Sequence, residues 1–377
     1  MPEAQLITEQ DRLHLGRALE LAERGRGRVS PNPLVGAVLV HGDDEIGEGH
    51  HAEFGGLHAE AAAIEDCRAR GGDPAGATLY VTLEPCSHHG KQPPCTEAIV
   101  AAGIRRVVIA SDDPSERASG RGPGMLRDEG VEVVLAEGAE AAAARLLNQA
   151  FRKHARTSRP LVTLKSALSL DGRVATVTGE SKWLSGPQSR SLVHRWRAEC
   201  DAVAIGIGTA LSDDPLLTAR DVDVVRQPAR VIFDSRARLP LDSSLVGSVG
   251  EAPLIVVTGR GADQERIEAL ERAGANVIMV SGGGARGVQL ALLELGARDV
   301  TSLLLEGGPT LAGSFLDAGE VDELRLFITP VVLGGRGARG VAEGEGTARV
   351  ADAHRALATE WERSGDDLLV KARLKEW

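Results

Sequence analysis

His58-Ala59-Glu60, then Thr82-Leu83-Glu84-Pro85-Cys86, then Cys95: this order of residues decides how the first half of the chain is read. One imidazole and two thiolates suit a tetrahedral Zn²⁺, and three protein ligands leave its fourth position open. Glu60 follows the histidine on segment 57–69, whose pattern predicts a helix carrying His58 and Glu60 in its first turn. Unpaired N–H groups at a helix start favour negative charge. The run 77–83 predicts a strand that delivers Glu84-Pro85-Cys86. Residues 96–102 predict a helix with Cys95 at its beginning, where a thiolate is likewise favoured.

Working outward, Thr8-x-x-Asp11 marks a helix start, with Leu13, Ala18, Leu21 and Ala22 as its apolar stripe. Ser30-Pro31-Asn32-Pro33 breaks the chain before a buried strand at 34–40. Strands follow at 105–110 and 131–135, and an alanine-rich helix at 139–155. Alternation of this kind indicates a layered α/β domain. Arg156-Thr157-Ser158-Arg159-Pro160 breaks the pattern and sets the expected boundary between domains 1–155 and 156–377. The second half predicts strands at 161–168, 202–205, 229–233, 254–258, 276–280, 301–305 and 323–328. Helices are expected at 188–197, 263–273, 288–295 and 309–316, and glycine loops at 281–284 and 334–337. The run 368–374 is expected to close a sheet edge.

A chain of 377 residues exceeds one ordinary core and fits two domains. A net charge of −11 argues against a nucleic-acid partner, while leaving room for a local basic pocket that takes a small anion. No apolar run approaches the roughly 20 residues of a membrane span, and the first residues lack the basic-then-apolar pattern of a secretory signal. A cytosolic protein is therefore expected. In a reducing compartment Cys86 and Cys95 read as metal ligands, and Cys67 and Cys200 as small buried residues.

His-x-Glu followed by Pro-Cys and a later Cys is the pattern of zinc-dependent deaminases, in which the glutamate is not a ligand. Glu60 then carries a proton from water to a leaving amine. Other readings are a structural zinc closed by His50, His51, His88 or His89, no metal at all, or a non-enzymatic binding module. A deaminase acting on tRNA or DNA is a further rival, against which the acidic charge counts.

The insert between the cysteines sharpens this. Thr82-Leu83-Glu84-Pro85-Cys86-Ser87-His88-His89-Gly90-Lys91-Gln92-Pro93-Pro94-Cys95 resembles the deaminase half of the RibD family of bifunctional riboflavin biosynthesis proteins. So do Pro31-Asn32-Pro33-Leu34-Val35-Gly36 and Gly49-His50-His51. The resemblance implies a cytidine-deaminase-like α/β/α domain with one zinc on His58, Cys86 and Cys95, and Glu60 as the catalytic residue. The implied substrate is 2,5-diamino-6-(5-phosphoribosylamino)pyrimidin-4(3H)-one. Asn32, His51, His88, Lys91 and Asp113 are its implied contacts. The family often carries Asp-Pro-Asn where this chain has Asp113-Pro114-Ser115, and serine lacks the amide donor.

In the second half, Gly206-Ile207-Gly208-Thr209-Ala210-Leu211 starts like a dinucleotide fingerprint, but Leu211 replaces the third glycine and Asp213-Asp214-Pro215 ends the helix. A Rossmann assignment is rejected. Glu306-Gly307-Gly308-Pro309 reads as a strand-to-helix turn with proline at the helix start. Residues 164–173, 179–183, 213–218 and 306–310 resemble the reductase half of the same family, in collinear order. That resemblance implies a dihydrofolate-reductase-like α/β domain using NADPH to reduce the ribosyl group of the deaminated intermediate to ribityl. Implied NADPH contacts are Ala167, Trp183, Thr209, Asp213, Ser235 and the turn Gly308, Pro309, Thr310, Leu311, Ala312, Gly313 and Ser314. Implied substrate contacts are Ser181, Arg197, Leu217, Arg220 and Glu306, with the two arginines as a phosphate clamp. Lys165 and Asp171 are expected to line the pocket, without an assigned role. The resemblance also implies a homo-oligomer.

Overall fold

The computed structural model describes residues 7–377 except Lys91 and Arg117. The chain forms two compact units, one ending at Thr157 and including Trp377, the other spanning Ser158–Glu376. No helix among the described residues is long and apolar enough to cross a membrane.

The first unit is built on five strands, β1 (Gly36–His41), β2 (Asp44–His50), β3 (Thr78–Val81), β4 (Arg106–Ile109) and β5 (Glu132–Leu135), in the order β2-β1-β3-β4-β5. Pairings through β1 are antiparallel, and those among β3, β4 and β5 are parallel. Side chains of a strand alternate between faces. Ala37 and Leu39 join one core with Ala63, Ile64 and Ile99, while Val38 and Val40 join another with Leu15, Ala18 and Leu21. Because both faces are covered there, the inner strands β1, β3 and β4 read as largely continuous apolar runs rather than alternating ones. The strand β2 was not expected, being charged and glycine-rich. Its glycines let helix Ala59–Ala69 press on it: a Cβ at Gly49 would stand 2.3 Å from the Ala59 carbonyl oxygen.

Thr8 and Asp11 form the expected capping box for helix Glu9–Glu23. Leu15, rather than Leu13, lies in the buried stripe; Leu13 faces solvent. The single alanine-rich helix expected at 139–155 is two, Ala139–Leu147 and Gln149–Thr157. Asn148 interrupts it, its amide accepting from Leu34 N at 2.8 Å and donating to Leu34 O at 2.9 Å.

The second unit holds nine strands. They are β6 (Leu161–Leu168), β7 (Ala202–Gly206), β8 (Ala229–Phe233), β9 (Leu254–Gly259), β10 (Asn276–Val280), β11 (Ser302–Leu305), β12 (Glu323–Ile328), β13 (Ala358–Ser364) and β14 (Asp367–Arg373). Their order is β10-β9-β8-β7-β11-β6-β12-β14-β13. From β10 to β12 neighbours are parallel; β12-β14 and β14-β13 are antiparallel. The run expected to close the sheet, β14, is interior, and the edge belongs to β13, whose Glu360, Trp361, Glu362 and Arg363 are all exposed. Strand order reverses around β6, β11 and β7. In open α/β sheets such a switch leaves a crevice outside the carboxyl ends of the strands, where ligands bind.

Candidate active sites

In the first unit the three expected metal ligands converge. His58 is the N-cap of helix Ala59–Ala69 rather than a member of its first turn, which places its ring beside the open end of the helix. Cys95 opens helix Cys95–Ala101, and Cys86 follows β3. His58 Nδ1 lies 3.2 Å from Cys95 Sγ and 3.5 Å from Cys86 Sγ. Tetrahedral Zn²⁺, with Zn–S of about 2.3 Å and Zn–N of about 2.0–2.1 Å, requires S···N edges of about 3.6 Å, so the donor set fits that ion. The ligand atoms of His58, Cys86 and Cys95 all fall within 4.8 Å of one another, and no other His, Cys, Asp or Glu among the described residues joins them. His50, His51, His88 and His89 therefore do not close the site. A hydrogen bond from Cys95, aided by His58, lowers the Cys86 thiol to about 4, the thiolate state a metal requires.

Glu60 is 3% exposed, and burial raises its carboxyl above the ordinary range, suiting a group that both takes and returns a proton. His51 Nδ1 donates to Leu57 O at 2.8 Å, so its Nε2 accepts from Asn32 Nδ2 at 3.0 Å. Burial lowers the His51 pKa, consistent with this neutral form. The pair fixes the orientation of the Asn32 amide. Asp113 Oδ1 accepts from Ser115 N at 2.8 Å, which fixes the Asp113 carboxylate within its loop. His88 is exposed on the insert. Lys91 lies outside the described residues.

Sequence reading missed Glu84. Its buried carboxylate accepts from Gly120 N at 3.1 Å, Gly122 N at 3.3 Å and Asp113 N at 3.5 Å, tying the loop that carries Asp113 to the strand end that carries Cys86. Arg152 braces the same loop, bonding Ser111 Oγ at 3.2 Å and Asp112 O at 2.9 Å. An acidic residue at the end of a buried strand was the available signal for Glu84.

In the second unit a cleft of about 1370 Å³ opens at the carboxyl ends of β6 to β11. Ala167, Trp183, Thr209, Asp213, Ser235, Gly308, Pro309, Thr310, Leu311 and Ser314 line it, as do Ser181, Arg197, Leu217, Arg220 and Glu306. Ala312 and Gly313 do not. Ala312 points into the core with Phe315, and a Cβ on Gly313 would meet the Glu343 carbonyl oxygen. Helical periodicity turns this part of the predicted cofactor turn inward.

Glu306 is the electrostatic centre of the cleft. Arg197 grips it with two bonds, 2.6 Å from Nε and 2.9 Å from Nη2, and Lys165 Nζ adds a third at 3.2 Å. Burial opposes ionisation, but these two cations outweigh it and hold the Glu306 carboxyl at about 2. Arg197 is thus committed to Glu306 and to Thr218 O, at 3.2 Å, whereas Arg220 Nη1 donates to Thr218 Oγ1 at 2.9 Å. Trp183 is 73% exposed with Arg190 stacked 5.1 Å from its ring, so it presents a free face rather than filling a core. Asp171 sits outside the cleft lining. It accepts from Ser169 Oγ and from the backbone N–H groups of Leu333 and Gly334, fastening the glycine loop after β12.

Comparison with known proteins agrees with this division. Residues 8–111 match the cytidine and deoxycytidylate deaminase zinc-binding region, and residues 160–370 match the RibD C-terminal domain. The riboflavin biosynthesis protein RibD of Actinobacillus pleuropneumoniae is 38% identical over 371 residues, spanning 98% of this chain and 97% of its own. A Thermotoga maritima crystal structure, described as a diaminohydroxyphosphoribosylaminopyrimidine deaminase/5-amino-6-(5-phosphoribosylamino)uracil reductase, superposes with a TM-score of 0.83 at 36% identity, covering 97% of this chain and 99% of that one. Acinetobacter baumannii RibD superposes with a TM-score of 0.86 at 35% identity, covering 98% and 99%.

Proposed function

The chain belongs to the RibD family, the bifunctional deaminase/reductases of riboflavin biosynthesis, and from that premise we propose the substrate, cofactor and residue assignments of its two reactions. The first is hydrolytic deamination of 2,5-diamino-6-(5-phosphoribosylamino)pyrimidin-4(3H)-one. The observation that carries it is the cluster of His58, Cys86 and Cys95 with the buried carboxyl of Glu60 beside it. Zinc held by these residues supplies Lewis acidity that makes water nucleophilic near neutral pH. The carboxyl of Glu60 would carry one water proton to the ring nitrogen as the C–O bond forms, and then the remaining hydroxyl proton to the exocyclic nitrogen as it departs. One water is consumed, the exocyclic C–N bond breaks, a carbonyl forms and ammonia leaves. Asn32, held by His51, reads the pyrimidine edge, and Asp113 contacts the substrate from the loop that Glu84 secures. His88 and Lys91 serve the substrate from the insert.

The second reaction reduces the ribosyl group of 5-amino-6-(5-phosphoribosylamino)uracil to ribityl, for which NADPH would supply hydride and the medium one proton, leaving NADP⁺. Lys165, Glu306 and Arg197 form the charged corner of the cleft that faces the sugar, and Arg220 receives the phosphate. Trp183, Thr209, Asp213, Ser235 and the turn from Gly308 border the cofactor.

A two-stage assay on zinc-loaded protein tests both steps and their order. Ammonia is expected on addition of the diaminopyrimidine, and NADPH oxidation only once ammonia has been released. Oxidation of NADPH by the undeaminated compound would overturn the order, and absence of both signals with zinc bound would overturn the reading itself.

A further inference from the structure

We propose that Arg238 selects a cofactor bearing a 2′-phosphate. The inference rests on the reductase reading above and deepens it. The cleft has two unlike ends. Lys165, on β6, and Glu306, just past β11, make the corner assigned to the sugar substrate, so the reacting end of a bound dinucleotide lies there. β6 and β10 are five strand steps apart in the sheet order. At about 4.8 Å per step the crevice runs about 24 Å, so the remainder of the dinucleotide extends across the ends of β8, β9 and β10.

That far end is lined by Ser235, Arg238, Thr258, Gly259 and the glycines Gly282 and Gly283. Among the described residues lining it after these three strands, Arg238 is the one cation. Its side chain is half exposed and its Nε rests 3.3 Å from Asp234 Oδ1. Among the described residues, Nη1 and Nη2 make no hydrogen bond, so the fork remains open to an anion. Arginine suits phosphate because its planar donors meet two oxygens at once.

Asp234 supplies the second half of the argument. In many dinucleotide sites an acidic group near the ribose accepts from the free 2′-hydroxyl and so favours the unphosphorylated cofactor. An acidic residue does stand here, directly after β8, but it is fully buried. Its Oδ2 accepts the backbone N–H groups of Arg238 and Leu239, and its Oδ1 meets Arg238 Nε. The carboxylate is turned into the loop, where it props the arginine instead of reaching for a ribose. One residue that would favour NADH is thus sequestered, and the residue it supports favours NADPH.

Adenine nucleotides lacking the nicotinamide test this apart from turnover. Wild-type protein, Arg238→Gln and Arg238→Lys would be titrated calorimetrically with 2′,5′-ADP and with 5′-AMP. We expect wild type to favour 2′,5′-ADP by roughly 10- to 100-fold, the worth of a charge-assisted contact. Arg238→Gln should lose that preference with 5′-AMP affinity unchanged, and Arg238→Lys should keep part of it. In turnover with the uracil ribosyl phosphate, Arg238→Gln should raise KM for NADPH by the same factor and leave kcat and the KM for NADH unchanged. Equal weakening of both nucleotides, or no change in either, would overturn the proposal. Wild type that reduces its substrate equally well with NADH and NADPH would overturn it while leaving the reductase assignment intact; wild type that uses neither would remove that assignment as well.

Discussion

At the scale of single residues, the proposed site of each reaction holds a carboxyl, and the two are tuned in opposite directions. Glu60 has burial acting on it with no strong cation to offset it, so its proton affinity rises. The Glu306 side chain is nearly enclosed too, yet Arg197 and Lys165 hold it ionised. Glu60→Gln should therefore retain its zinc, measurable by metal analysis, while ammonia release falls by at least about 100-fold, the usual worth of a general acid–base group. Loss of zinc in this variant, or unchanged release, would contradict the assignment. For Glu306 the consequence reaches stability. Its folded-state pKa, about 2, lies below that of an unfolded glutamate. The stabilisation is fully present above about pH 4.3 and is lost as pH falls through about 2. Glu306→Gln leaves two cations without their counter-charge, at a cost of about 3 kcal/mol. Unfolding curves of wild type and Glu306→Gln should be well separated at pH 6 and draw together between about pH 4 and pH 2. A separation that grows on acidification would have the wrong sign.

At the scale of elements, legibility followed the chemistry of burial. β6, β8, β10 and β12 fall at the residues their apolar content predicted, because Val, Ile, Leu and Phe dominate each run even where a polar residue such as Lys165 or Arg325 interrupts it. β2 was invisible because its glycines are selected for the approach of a helix backbone and its glutamates for solvent and arginine, as in the 2.7 Å bond between Glu48 and Arg17. β13 was missed because an edge strand with exposed faces lacks an apolar pattern. The cluster His58, Cys86 and Cys95 was readable because ligand identity and spacing are written along the chain. The role of Glu84 was not, since its partners at Asp113, Gly120 and Gly122 are set by tertiary folding. The same holds for Asn148, whose amide serves both the N–H and C=O of distant Leu34. Asn148→Ala strands these buried backbone groups and should destabilise the first unit by about 2 kcal/mol. Urea denaturation should show a lower midpoint at unchanged slope; an unchanged midpoint would mean the bonds contribute nothing net.

At the scale of the whole molecule, the two units carry separate sheets, and among the described residues the candidate metal cluster lies in the first. Zinc would bind the folded unit, whose ligands hold a geometry an unfolded chain does not, so metal binding would stabilise that unit by mass action. Removing zinc should accordingly act on one half of the enzyme. After treatment with a strong chelator and desalting, ammonia release from the diaminopyrimidine should disappear, while NADPH oxidation with the already deaminated uracil substrate should persist at its original rate. In calorimetry the transition of the first unit should move to lower temperature and that of the second should stay in place, and added Zn²⁺ should restore both ammonia release and the shifted transition. The reductase provides the internal control: if its rate falls in parallel with ammonia release, the units are not energetically independent, and the division of labour drawn from their separate sheets fails.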